Sequence, residues 1–270
     1  MDGKTYTHPQ EAHREDVWPP DDTEESVSGT FLHQTTVFNV IRGINEAACV
    51  GMSPGQPAPW EALWQLLLTG CRRPDGSAYK IRPDVFIYRH PVDNDCDAMD
   101  VGVDGPPVLI IEVLSDTTVA AELDMDRGKG YSYARAGVRE YLALDPTGAL
   151  AAGNGRGWRL DGGAYRPWER GADGRWSSEQ IDVAIGLEDV WATVYTRDGQ
   201  RMLREGEVQA ALARKDAEVT AALARREEEM QRKDAELTAA LARRDQELAR
   251  KDAELTELRR RLDELRGRQP

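Results

Sequence analysis

Cysteine is scarce in this chain of 270 residues: Cys49, Cys71 and Cys96 are the only three. An odd number at wide spacing suits neither a disulfide framework nor a CxxC zinc site, so reduced, unpaired thiols are expected. No run of about 18 apolar residues occurs, which argues against a membrane-spanning helix. The opening Met1-Asp2-Gly3-Lys4-Thr5-Tyr6-Thr7-His8-Pro9 is polar and lacks the apolar core of a secretory signal, so the cytoplasm is the expected compartment. Positive charge is also in short supply, with 35 Lys and Arg against 48 Asp and Glu, a net charge of -13. The 40% hydrophobic and 31% charged content nevertheless allows one or two soluble domains and excludes a wholly disordered chain.

What is present is, first, a repeat. Arg214-Lys215-Asp216-Ala217-Glu218-Val219 recurs as Arg232-Lys233-Asp234-Ala235-Glu236-Leu237 and Arg250-Lys251-Asp252-Ala253-Glu254-Leu255, every 18 residues. Eighteen residues close about five helical turns. Large apolar residues at Leu212, Val219, Leu223, Met230, Leu237, Leu241, Leu248, Leu255, Leu258, Leu262 and Leu265 make one narrow seam, and neither Gly nor Pro interrupts it. The 7 + 11 spacing averages 3.6 residues per turn, so paired helices should run nearly straight. A helix cannot bury such a seam alone, and residues 205–270 are therefore read as a self-associating coiled coil; the alternative is an isolated helix held by pairs such as Glu247 with Lys251. This tail carries 15 basic and 16 acidic residues, net -1, which leaves -12 on residues 1–204.

Residues 1–24, rich in Pro, Asp, Glu and Thr, read as a flexible arm. Residues 25–204 read as a mixed α/β domain. Helices are expected around Phe31–Glu46 and Trp60–Leu68. Val85-Phe86-Ile87-Tyr88 and Val108-Leu109-Ile110-Ile111-Glu112-Val113-Leu114 are short runs bounded by Pro, Gly and Asp, as buried strands are. Met125–Ala136 reads as a helix stopped by Gly137, and Val138–Pro146 as the next strand. Gly153-Asn154-Gly155, Asp161-Gly162-Gly163 and Asp173-Gly174 then punctuate Trp158, Tyr165, Trp168 and Trp176, a spacing that predicts β-hairpins.

Three charged residues stand where burial makes charge expensive: Asp84 opens a strand after Pro83, Glu112 interrupts an apolar one, and Lys129 lies in the first half of the following helix. A carboxylate inside an apolar strand costs several kcal/mol unless it is paired or bound to metal. A structural salt bridge from Glu112 to Lys129 or a nearby Arg satisfies that need, and so does a metal site; periodicity does not separate the two.

Arg82-Pro83-Asp84-Val85, Val108–Ser115, Asp126-Arg127-Gly128-Lys129, Tyr133-Ala134-Arg135-Ala136-Gly137-Val138 and Glu140–Pro146, in that order, resemble the Uma-type restriction-endonuclease-like family, a branch of the PD-(D/E)xK nuclease superfamily. The resemblance spans roughly residues 25–204 and is densest over 82–146. It implies a mixed central sheet flanked by helices, with a metal site at the strand ends. It implies Asp84 as first metal ligand, Glu112 as second carboxylate, the Val113 backbone carbonyl as third ligand, and Lys129 as the catalytic lysine. The superfamily lysine usually stands two residues after the second carboxylate; here that position is Leu114.

The implied chemistry is Mg2+- or Mn2+-assisted hydrolysis of nucleic-acid phosphodiester bonds, most naturally in DNA. Mg2+ takes oxygen ligands and keeps several waters, so two carboxylates and a carbonyl suffice. Glu24, Glu25, His33 and Glu46 are candidates for a further ligand on the first helix, with His33 read instead as exposed or helix-capping. Asp124 and Asp126 are assigned to a helix N-terminus, and Tyr133 and Tyr141 to buried structural positions. The charge of -12 opposes general DNA binding, leaving two local basic clusters: Arg72, Arg73, Lys80, Arg82 and Arg89, and Arg127, Lys129, Arg135 and Arg139. The competing reading is a catalytically silent nuclease-fold scaffold that acts through its coil.

Overall fold

A computed structural model of the chain describes residues 30–53, 55–89, 92 and 96–266. The expected arm, with Glu24 and Glu25, lies outside the described residues. The elements run α1 Phe31–Cys49, β1 Glu61–Leu63, β2 Leu67–Arg72, β3 Ala78–Ile81, β4 Val85–Tyr88, β5 Ala98–Asp100, α2 Val101–Asp104, β6 Leu109–Val113, α3 Val119–Leu123, α4 Lys129–Ala136, β7 Glu140–Leu144, β8 Gly155–Asp161, β9 Ala164–Trp168, β10 Trp176–Ser177, β11 Val183–Glu188, β12 Trp191–Thr196 and α5 Glu205–Arg266. The chain divides into two compact units, one ending at Glu207 and one beginning at Val208.

In the first unit a six-stranded mixed sheet, ordered β1-β4-β6-β7-β8-β9, forms the centre. Its inner strands β4, β6 and β7 are buried along their whole length, which is why they read as continuous apolar runs rather than alternating ones. One face packs Val85, Ile87, Leu109, Ile111 and Val113 against Val37, Val40 and Ile44 of α1 and against the sheet β10-β11-β12. The other face packs Phe86, Ile110 and Tyr141 against Tyr133 of α4 and Leu68 and Tyr79 of the sheet β3-β2-β5. Helix α1 starts at Thr30, whose hydroxyl accepts from the His33 N–H, and buries Val37, Val40, Ile44 and Ala47 as one stripe.

The helix expected at Trp60–Leu68 is absent: β1 and β2 occupy it. Nine residues do not sustain a helix without tertiary support, and here the tertiary contacts favour extension. Ala62 exchanges backbone hydrogen bonds with the Asn45 carboxamide, at 2.8 and 3.2 Å, and lies opposite Ile87. Gln65 then takes a positive φ of 60°, which ends any helical run. The helix expected from Met125 begins at Lys129, because the Asp124 carboxylate accepts the N–H groups of Asp126 and Arg127 and holds the preceding turn. It ends at Gly137, with φ 91°, as a C-terminal glycine does. The β8–β9 hairpin turns at Gly162 and Gly163.

The second unit is helical throughout its described length. With α5 counted from Glu205, the helix has 62 residues, or about 90 Å at 1.5 Å per residue. Its seam side chains from Leu212 to Leu258 are between 51% and 60% exposed. No helix among the described residues is long and apolar enough to cross a membrane.

Candidate active site

Strand pairing decides which charged residues meet. Val85 of β4 lies opposite Ile111 of β6, so the next position along the ladder sets Asp84 against Glu112. The Asp84 N–H donates to Glu112 Oε2 at 3.3 Å, and Asp84 Oδ2 accepts the Val113 N–H at 2.8 Å. Glu112 shares the sheet face of Ile110, so its side chain enters the interior beneath α4. There it accepts the Tyr133 hydroxyl at 2.5 Å and the Lys129 ammonium at 3.3 Å, both on Oε1. Gly128 makes this approach possible: a Cβ at that position would lie 1.9 Å from the Ala121 carbonyl oxygen. The fold thus brings Asp84, Glu112 and Lys129 into one cluster.

Two more side chains join it. His33 on α1 places Nε2 at 3.2 Å from Asp84 Oδ2, so it is neither simply exposed nor a helix cap; Thr30 supplies the cap. Glu122 on α3 is 2% exposed; its Oε1 lies 3.7 Å from the Lys129 ammonium, and its Oε2 has no hydrogen-bond partner among the described residues. Glu46 lies elsewhere, paired with Arg42 at 2.8 Å one helical turn away. Tyr133 and Tyr141 are fully buried, as expected; Tyr133 nevertheless touches the cluster, and the Tyr141 hydroxyl donates to the Glu122 backbone carbonyl at 2.9 Å.

The electrostatics follow from packing three carboxylates against one ammonium. Burial, reinforced by Asp84 and Glu122, pushes the Glu112 carboxyl well above its ordinary range against the pull of Lys129 and Tyr133. Burial likewise raises Glu122 to about 7, with Lys129 opposing and Asp84 adding. His33 is raised mainly by its hydrogen bond to Asp84, against desolvation, with a contribution from the Val113 backbone. Only an acceptor favours the imidazolium, so that backbone group is the Val113 carbonyl. The oxygen anticipated as a ligand therefore faces His33.

The sequence does not single out Glu122, and His33, although named as a candidate ligand on the first helix, is read from it instead as exposed or helix-capping. The apolar pentad Val119-Ala120-Ala121-Glu122-Leu123 does carry a signal, an isolated charge on a short helix beside the family motifs. For His33 the sequence offers no way to choose it over Glu24, Glu25 or Glu46, because it stands 51 residues from Asp84 along the chain.

The basic clusters are partly engaged in local structure. Arg72 and Arg73 donate to the carbonyls of Gly76 and Ala78, Arg73 also lies over the Tyr79 ring, and Arg89 donates to the Gln180 carbonyl. Lys80, Arg135 and Arg139 are exposed. A cavity of about 690 Å3 is lined by Arg159, Arg175 and Arg197 among others. It lies toward the Glu140 end of β7, away from Glu112, and those arginines pair with Glu140, Asp173 and Asp182.

These features define a class: a mixed α/β fold with two carboxylates and a lysine gathered at the ends of adjacent central strands. Within that class the chain belongs to the Uma2 family, whose model, described as "Putative restriction endonuclease", matches residues 24–194. No curated protein and no solved structure matches the chain.

Proposed function

We propose that this protein is a Mg2+- or Mn2+-dependent endonuclease that hydrolyses phosphodiester bonds in DNA and self-associates through residues 205–270. The observation that carries the reading is the meeting of Asp84, Glu112 and Lys129 at the ends of β4 and β6, in a chain of a nuclease-like family.

The residues suit a hard divalent cation. Among the described residues no three His, Cys, Asp or Glu side chains form a ready metal cluster, so the donors are Asp84, Glu112 and the Val113 carbonyl, with water completing the shell, as Mg2+ prefers. Three carboxylates surround one ammonium and one imidazole, and an unpartnered buried carboxylate oxygen remains; a divalent cation would favour the ionised forms that burial disfavours at Glu112 and Glu122. When bound, the ion polarises a phosphate oxygen and makes water more acidic. Lys129 orients the attacking water and offsets charge on the phosphate. Tyr133 holds Glu112 in place, and His33 holds Asp84. Lys80, Arg135 and Arg139 are exposed basic groups that could meet the DNA backbone.

The test is nicking of supercoiled plasmid by the full chain with Mg2+, Mn2+ or chelator. Metal-dependent nicking is expected, with Asp84→Asn and Glu112→Gln each lowering it by about 10–100-fold or more. Unchanged nicking in both variants would sink the assignment. One observation favours a second reading, a silent scaffold: Lys129 is only 7% exposed and already engaged by two carboxylates. A chain that forms oligomers but neither binds Mn2+ nor nicks DNA would decide for it.

A further inference from the structure

Glu122 is the buried carboxylate to which the proposed reaction gives no task. A buried carboxylate oxygen without a donor is costly, so such an atom is stable when some state of the protein supplies one. The Thr118 hydroxyl donates to this carboxylate, and the cation beside it is the Lys129 ammonium, 3.7 Å from the other oxygen, Oε1. That ammonium has three N–H groups and stands closer to Glu112, at 3.3 Å.

Glu112 is equipped to release it. Its Oε1 also accepts the Tyr133 hydroxyl and its Oε2 the Asp84 N–H, so loss of the ammonium leaves both oxygens with donors. The backbone that carries the other carboxylate is held: the Tyr141 hydroxyl donates to the Glu122 backbone carbonyl, and Gly128 lets α4 sit against Ala121. Lys129 thus lies between two carboxylates, 3.3 Å from Glu112 and 3.7 Å from Glu122.

We propose that Glu122 is the second counter-ion of Lys129: when Asp84 and Glu112 hold a divalent cation, the ammonium leaves Glu112 for Glu122. This rests on the cation reading above and deepens it. An ammonium and a divalent ion on the same carboxylate repel each other, and the exchange separates them while keeping Lys129 buried and paired. Glu122 is in this sense a positioning residue, acting on the cation through Lys129. The arrangement also explains how a lysine away from the usual place beside the second carboxylate can serve without competing for that carboxylate.

The experiment uses the full chain with lysine side chains labelled with 13C and 15N. Only six lysines are present, and Lys129→Arg assigns the signal. Adding Mg2+ should shift the Lys129 13Cε and 15Nζ resonances in the wild type and leave them unmoved in Glu122→Gln. In calorimetry with Mn2+, Glu122→Gln should bind about tenfold more weakly at an unchanged melting temperature, and Glu122→Asp, which keeps the charge, should recover part of the loss. A Lys129 signal that does not move in a wild type that binds Mg2+ would overturn the proposal, whether or not the variant folds. So would a shift of equal size in Glu122→Gln, or an affinity that Glu122→Gln leaves intact; in each case the cation reading survives. A wild type that binds neither ion overturns both.

Discussion

The two units each carry a lysine–glutamate pair, and the pairs rank oppositely by distance and by consequence. Lys251 and Glu247 on α5 are 2.8 Å apart with side chains 64% and 66% exposed. Lys129 and Glu112 are 3.3 Å apart, with side chains 9% and 1% exposed. Water already satisfies the first pair, so bringing its members together changes little. The second has no water to fall back on, so each partner depends on the other. Removing one partner therefore matters far more in the domain's buried pair than in the tail's exposed and repeated ones.

The largest effect should come from Lys129→Met, which leaves Glu112 and Glu122 buried without their ammonium. A loss of about 3–5 kcal/mol is expected above pH 7, read by urea unfolding. The loss should shrink toward pH 4.5. In the intact protein burial raises the Glu122 carboxyl and Lys129 holds it down to about 7; without the ammonium it keeps its proton to higher pH, so the variant gains more stability than the intact protein as pH falls toward 4.5. A loss under 1 kcal/mol that ignores pH would make the buried pair behave like the exposed one and break the comparison.

A middle-sized effect is expected on the tail's association rather than on the domain. Leu237 is 60% exposed in the single chain, and a partner helix that covers it gains about 1.5–3 kcal/mol per leucine. Leu237→Asn should weaken self-association by roughly 10–100-fold in sedimentation equilibrium and leave the domain's melting transition in place. An intact chain that is monomeric at every concentration would remove the second copy from the picture.

The smallest effect belongs to the exposed pair. Glu247→Ala should reduce helix stability by no more than about 0.5 kcal/mol, with the change screened by salt. A larger loss in circular dichroism melts would show that the tail's charges act as a network.

Much of the tail was legible because its signal is local and repeated. An 18-residue period with an unbroken apolar seam specifies a helix wherever the chain goes, and α5 spans Glu205–Arg266 without interruption. Strands β4, β6 and β7 were legible for a related reason: apolar runs bounded by Pro, Gly and Asp suit few structures other than buried strands. Trp60–Leu68 misled because its apolar residues fit helix and strand alike, and the choice fell to Asn45 and Ile87, outside the segment.

The site divides in the same way. Asp84, Glu112 and Lys129 stood out because charge in an apolar context is visible along the sequence, and ordered motifs named their family. Sequence alone thus determined the long tail helix, the central strands and the carboxylates at their ends, since each depends on residues within a few positions of one another. Only the tertiary structure decided that His33 faces Asp84, that Tyr133 covers Glu112, and that Glu122 shares Lys129. Those contacts join elements whose distance in space is set by sheet register and helix packing, and no local pattern of residues encodes that distance.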